Sequence, residues 1–197
     1  MTASAIRYLS KDPLLSKVID SVSHEFAKPS GTVYEGLLSS ICSQQLSVKA
    51  AETIHGRFLN LFGGSPQPQA LLATPVDELR AVGLSYRKAS YVHNVAQFFT
   101  EKKLQDANWD AYKDEDIIEI LTEIKGVGRW TVQMILMFEL GRPDVMPLDD
   151  LGIQKAMIEL YELKTVKKEL RHMMEQIAAE WSPYRSTACK LLWRYTD

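Results

Sequence analysis

Ile124-Lys125-Gly126-Val127-Gly128-Arg129-Trp130-Thr131 is the stretch on which the fold turns. Two glycines two residues apart separate two apolar runs of helical spacing. Ile117, Ile118, Ile120, Leu121 and Ile124 precede them, and RWTVQMILMFELG follows as far as Gly141. This spacing predicts a tight hairpin between two amphipathic helices. Glycine admits the positive φ a short turn needs and lets another group approach the backbone closely. At the start of the second helix several N–H groups point together, an arrangement suited to an anion such as phosphate. On these residues alone, a plain helical corner in which Gly126 supplies a left-handed cap is the favoured reading.

Helical periodicity extends outward from the hairpin in both directions. Leu14, Leu15, Val18, Ile19, Val22 and Phe26 form one stripe behind an Asp12 cap and a first-turn Pro13. Two further stripes, Val33, Leu37, Ile41 and Ala50, Ala51, Ile54, Phe58, Leu61, are interrupted near Gln44 to Ser47 and stopped by Gly63-Gly64. SPQPQ reads as a loop. Thr74-Pro75 opens a short helix that stops at Gly83, and Ser85 caps a longer one carrying Ala89, Val92, Val95, Ala96 and Phe99. Downstream, Asp144 to Asp149 form an extended loop. Helices resume with Ile153, Ala156, Met157, Leu160 and with Val166, Leu170, Met173, Met174, Ile177, and Pro183 precedes a last one ending near Trp193. The predicted fold class is all-α, with ten or so short helices and no internal repeat.

Composition narrows the function. The chain has 197 residues, 46% apolar and 24% charged, enough to bury a core. A net charge of −2 excludes a uniformly basic coat, so any hold on a polyanion must be local. Two cysteines, Cys42 and Cys189, cannot supply a disulfide framework, a zinc site or a four-thiolate cluster, and they read as small buried residues. The four histidines show no metal-ligand spacing. MTASAIRYLSKDPLL lacks the apolar run of a signal peptide, and no stretch reaches the roughly 18 apolar residues of a membrane span. The expected setting is the interior of a reducing cell, away from membranes.

Beyond the hairpin lies Val145-Met146-Pro147-Leu148-Asp149-Asp150-Leu151-Gly152-Ile153. Hairpin and acidic loop together resemble the helix-hairpin-helix (HhH-GPD) DNA glycosylase superfamily. SICSQQLSVKAA, GLSYRKASYV, IKGVGRWTVQMILMF, DVMPLDDLGI and WSPYRSTACKLLWRY, in that order from about residue 33 to 195, are similar to its DNA-3-methyladenine glycosylase II family. The resemblance implies a single domain over residues 1–197, with two helical lobes flanking a DNA-binding cleft: roughly 30–125, and 1–29 with 126–197. It also implies a monomer that binds double-stranded DNA containing alkylated bases and hydrolyses the N-glycosidic bond of alkylated purines. The extra N-terminal sheet domain of larger bacterial members is not expected here.

Within that resemblance Asp150, the second acid of the loop, is the catalytic residue. A carboxylate facing the sugar stabilises the oxocarbenium character of the departing nucleoside and can orient the attacking water. Asp149 or Asp150 also suits a cap for the helix starting at Leu151, and Asp149 is assigned to capping or to positioning the loop. Bifunctional relatives carry a lysine where this chain has Trp130, so the resemblance implies hydrolysis without lyase chemistry. Trp130 and Trp193 are expected to wall the base pocket, where electron-rich rings attract a cationic methylated purine. Met134 and Leu151 replace aromatic residues of relatives and complete that pocket.

Gln45 is the expected wedge that fills the space of an extruded base, with Gln44 as its support. The backbone amides and charges of Ser85, Arg87, Lys88, Lys125, Gly126, Val127, Gly128 and Arg129 are expected on DNA phosphates. Lys49, Arg185 and Lys190 are further candidates, the acids of 101–123 are expected to face away, and Lys164, Lys167, Lys168 and Arg171 read as a solvated face. No cofactor is required, although a structural Na+ or K+ can be imagined at the hairpin carbonyls of Gly126 and Gly128. Two other functions fit the residues: a noncatalytic module that binds damaged DNA, and a glycosylase for deaminated or mismatched bases.

Overall fold

The computed structural model describes residues 2–26 and 31–196. Among them are twelve α-helices and a short 3-10 turn at Trp109–Ala111, with no strand. The chain divides into two compact units, Met1–Pro29 with Leu136–Asp197, and Ser30–Ile135.

The unit Ser30–Ile135 holds α3 (Val33–Ser43), α4 (Val48–Phe62), α5 (Pro68–Ala73), α6 (Val76–Ala81), α7 (Tyr86–Lys102), α8 (Asp114–Thr122) and most of α9 (Arg129–Phe138). α7 is its axis, with α3, α5 and α6 packed on it. Ala89, Val92, Val95, Ala96 and Phe99 are buried along it, as are Leu37, Ile41, Phe58, Leu71 and Leu79 around it. Removing each large side chain from water contributes about 1.5–3 kcal/mol. The helix starts are specified locally. Thr32 and Glu35 close a capping box on α3, and Ser47 and Ser85 cap α4 and α7.

The other unit holds α1 (Ala3–Leu9), α2 (Pro13–Ser21), α10 (Leu151–Leu160), α11 (Lys167–Ala179), α12 (Arg185–Thr196) and the end of α9. α12 packs on both α10 and α2. Ala188, Cys189, Leu191 and Leu192 of α12, Ile153, Ala156 and Met157 of α10, and Leu15, Val18 and Ile19 of α2 are buried. Asp12 caps α2 through the Leu14 and Leu15 N–H groups, with Pro13 at its first position. Both cysteines are free and buried. No helix among the described residues is long and apolar enough to cross a membrane.

Three elements exceed the periodicity reading. α1 and the 3-10 turn are too short for a periodic stripe to register. α5 starts inside what reads as loop, because Pro68 occupies the first helical position and does not break a helix.

Candidate functional site

Asp150 is the N-cap of α10 and only 8% exposed. Its N–H donates to the Pro147 carbonyl (3.0 Å), closing a turn that brings the carboxylate back over the helix start. Oδ1 accepts from the Ile153 N–H (2.8 Å) and from the Trp193 indole N–H of α12 (2.9 Å). The approach to the acid is fixed from the other end of the loop. Val145 N–H donates to Ser186 Oγ (2.9 Å), which donates to the Arg142 carbonyl (2.7 Å). Asp144 accepts from Arg185 Nε and Nη2, both at 2.8 Å, and from Ser182 Oγ. Burial pushes the Cys189 thiol pKa up, and the charge of Asp150 adds to that.

Several expectations change in this unit. Trp193, expected as a pocket wall, also donates its indole N–H to the acid. Asp149 caps nothing and instead pairs with Arg171 (2.6 Å), which also meets Glu175, so Arg171 is not merely a solvated cation. Arg185 pairs with Asp144. Lys190 is half-buried, with Nζ donating to the Met137 carbonyl (3.2 Å) and lying 4.9 Å from the Phe138 ring centroid; burial lowers its pKa. Leu151, 79% exposed, lies next to the acid on the first turn of α10. Phe138, which the sequence reading passed over, stacks on Trp193 with centroids 5.8 Å apart.

In the other unit the two hairpin glycines differ. Gly126 has φ +106°, and a Cβ there would run into the Tyr91 ring, so both conformation and space demand glycine. Gly128 needs neither, since a Cβ would meet nothing within 4 Å. Its exposed backbone stands open at the start of α9, whose first-turn N–H groups lack intrahelical acceptors. Val127 departs from the expected phosphate set because its side chain is buried and its N–H donates to the Ile124 carbonyl (3.0 Å). Lys125 is exposed, while its carbonyl accepts from Asn94 (3.0 Å). Arg129 is exposed but pairs with Glu115 (2.7 Å), so the acids of 101–123 do not all face away.

The two carbonyls at which a cation can be imagined each accept one hydrogen bond and keep a second lone pair. That of Gly126 accepts from Gln44 Nε2 (3.2 Å), and that of Gly128 accepts the first helical bond from Val132 (3.2 Å). Among the described residues, no group of His, Cys, Asp or Glu could hold a metal.

The Gln44 bond ties the α3–α4 loop to the hairpin. Gln45 follows it, exposed and at φ +59°, just past the end of α3 where glycine usually sits. Keeping a side chain in that conformation costs about 1 kcal/mol or more. Leu46 and Val48 beside it are exposed apolar residues that sequence reasoning overlooked. Ser85 caps α7 by accepting from the Lys88 N–H, and Arg87 is exposed. Lys88 corrects another expectation. Its Nζ donates to the Cys42 carbonyl (2.9 Å), one of the last carbonyls of α3, which no helical N–H can reach. Burial, tempered by Cys42, lowers its pKa. Trp130 is 43% exposed on the first turn of α9, and Met134 is half-buried one turn on.

Residues 38–183 match the HhH-GPD superfamily of base excision DNA repair proteins. The chain belongs to that superfamily. It is 38% identical over 168 residues to DNA-3-methyladenine glycosylase 1 of Schizosaccharomyces pombe, covering 82% of this chain and 71% of that protein. The solved structure of an S. pombe 3-methyladenine DNA glycosylase in complex with abasic DNA superposes with a TM-score of 0.82 at 32% identity, covering 97% of this chain and 95% of the other. A DNA-3-methyladenine glycosidase from Bacillus halodurans gives 0.84 at 32% identity, covering 99% and 89%. A Bacillus subtilis relative, 35% identical over 83% of this chain, is matched over only 58% of its own length. The all-α helix-hairpin-helix glycosylase fold read from the sequence is therefore the fold of this HhH-GPD chain.

Proposed function

We propose that this HhH-GPD chain is a monofunctional DNA glycosylase acting, as a monomer, on double-stranded DNA that contains alkylated bases. It hydrolyses the N-glycosidic bond of an alkylated purine to leave an abasic site. The observation that carries this reading is Asp150, a nearly buried carboxylate with one oxygen held by two N–H donors at a helix start. A fixed negative charge needs no reorganisation when positive charge develops on the sugar, and it can orient the incoming water. The names of the relatives supply the substrate class: 3-methyladenine glycosylases, one of them solved on abasic DNA.

The remaining parts follow the same chemistry. The open backbone at Gly128 and the first turn of α9 suit a DNA phosphate, with Lys125 adding charge. Ser85 and Arg87 at the start of α7 suit a second phosphate. Gln45 is the wedge, bordered by Leu46 and Val48, while Gln44 anchors its loop. Trp130 and Met134 receive the extruded base. Trp130 has no amine and cannot form a Schiff base, and no step requires a metal or cofactor.

The test is single-turnover release of methylated bases from alkylated duplex by the wild type and by Asp150→Asn. Release by the wild type, reduced about 100- to 1,000-fold in the variant, is the expected result. Equal release by both removes Asp150 from catalysis. If neither releases base while both bind the duplex, the chain is a damage-binding module. A borohydride-trapped covalent adduct would overturn the monofunctional assignment.

A further inference from the structure

Trp193 makes contacts that a pocket wall does not require. Its indole N–H reaches Asp150 Oδ1 at 2.9 Å, and the same oxygen accepts from the Ile153 N–H at 2.8 Å. The indole is itself held from two sides. Phe138 stacks on it with an interplanar angle of 27°. Gly152 leaves room for it: a Cβ there would lie 3.1 Å from Trp193 Cδ1, 3.2 Å from Asp150 Oδ1 and 3.3 Å from Trp193 Nε1. Gly152 has ordinary helical conformation, so its backbone does not call for glycine. The close pairing of carboxylate and indole does.

We propose that Trp193 is a positioning residue for Asp150: its N–H, with that of Ile153, fixes the carboxylate in the orientation catalysis uses, and Gly152 is the space that permits the bond. This inference rests on the glycosylase reading and adds to it a role for α12. One donor comes from the acid's own helix and the other from a different helix, so rotation about χ1 or χ2 of Asp150 breaks at least one bond. A carboxylate capped by Ile153 alone keeps its helix-start role while its plane is free to turn.

Trp193→Phe keeps an aromatic ring against Phe138 and removes only the N–H. The expected result is a fall in single-turnover base release of about 10- to 100-fold, the worth of a hydrogen bond to a charged group, with unchanged affinity for an abasic-site duplex. Gly152→Ala retains both side chains and pushes them apart, so it should show the same loss of rate and the same retained affinity. It carries the test alone if Trp193→Phe does not fold. A wild-type rate in either folded variant overturns the proposal. So does a loss of rate matched by an equal loss of affinity, which marks a pocket wall. Asp150→Asn keeps the two failures apart. If it is inactive while Trp193→Phe is fully active, only the positioning role falls. If Asp150→Asn is fully active, the catalytic assignment falls as well.

Discussion

Asp12 and Asp150 follow one local grammar and serve different ends. Each is an aspartate at the N-cap of a helix in the same unit, each accepts backbone N–H bonds from the first turn, and each receives an indole N–H from a distant tryptophan. At Asp12, Oδ1 takes the Leu14 and Leu15 amides, and Oδ2 takes the Tyr161 hydroxyl and the Trp181 indole (3.2 Å). Oδ1 is thus spent on the cap of α2, and Oδ2 on tying that helix to the chain just past α10 and α11. At Asp150 the backbone and indole donors converge on Oδ1. A capping aspartate therefore says where a helix begins; what else it does depends on which oxygen its distant partners occupy.

The sharpest way to break this contrast is to exchange carboxylate for amide at position 150. Asn caps helices about as well as Asp. Asp150→Asn should therefore lose catalysis by the factor given above while its thermal midpoint stays within a degree or two of the wild type, as differential scanning calorimetry would record. A large drop in the midpoint would make Asp150 a second Asp12.

The reciprocal substitution, Asp12→Ala, should destabilise by about 2–4 kcal/mol, since it removes a cap and strands the Tyr161 and Trp181 donors. Urea unfolding measures this, and base release per folded molecule should not change. pH gives a milder form of the same effect. Burial alone would raise the Asp12 pKa, but the bonds from Tyr161, Leu15, Trp181 and Leu14 outweigh it and hold the carboxyl below the usual carboxylate range. Around pH 4 the unfolded chain then binds more protons than the folded one, so stability rises with pH. The Asp12 contribution is fully present above the unfolded value of about 3.9 and is lost as pH falls through the lower native value. Asp144, held down by Arg185 and Ser182 against its own burial, adds to the same acid limb. Urea midpoints between pH 5 and 2 should fall steeply in the wild type and less steeply in Asp12→Ala.

The smallest effect concerns a helix end of the opposite kind. Gln45→Gly relieves the left-handed residue after α3 and should stabilise by about 1 kcal/mol while weakening affinity for an abasic-site duplex. Stabilisation with unchanged affinity would remove Gln45 from the DNA contact.

Most of the fold was legible because helix starts and apolar periodicity are local. Asp12-Pro13, Ser47, Ser85 and the glycine hairpin each announce an element within a few residues. The acid was legible because one motif contains it. Partners far apart in sequence were not. Trp193 is 43 positions from Asp150, Lys88 is 46 from Cys42, Arg185 is 41 from Asp144, and Lys190 is 53 from Met137. A long cationic side chain can face solvent or an orphaned carbonyl, and packing alone decides which. Phe138 was missed for the same reason, since its significance lies in a ring from another helix.

The inward turn of Lys88 has a kinetic side on the proposed substrate. Each cation withdrawn from the DNA face removes one released counterion from the equilibrium, so the complex with undamaged sequence is weaker and its salt dependence shallower. A repair enzyme meets intact base pairs far more often than lesions, and a looser hold shortens each unproductive stop. If the proposed function holds, the Lys88 bond to the end of α3 acts in that direction.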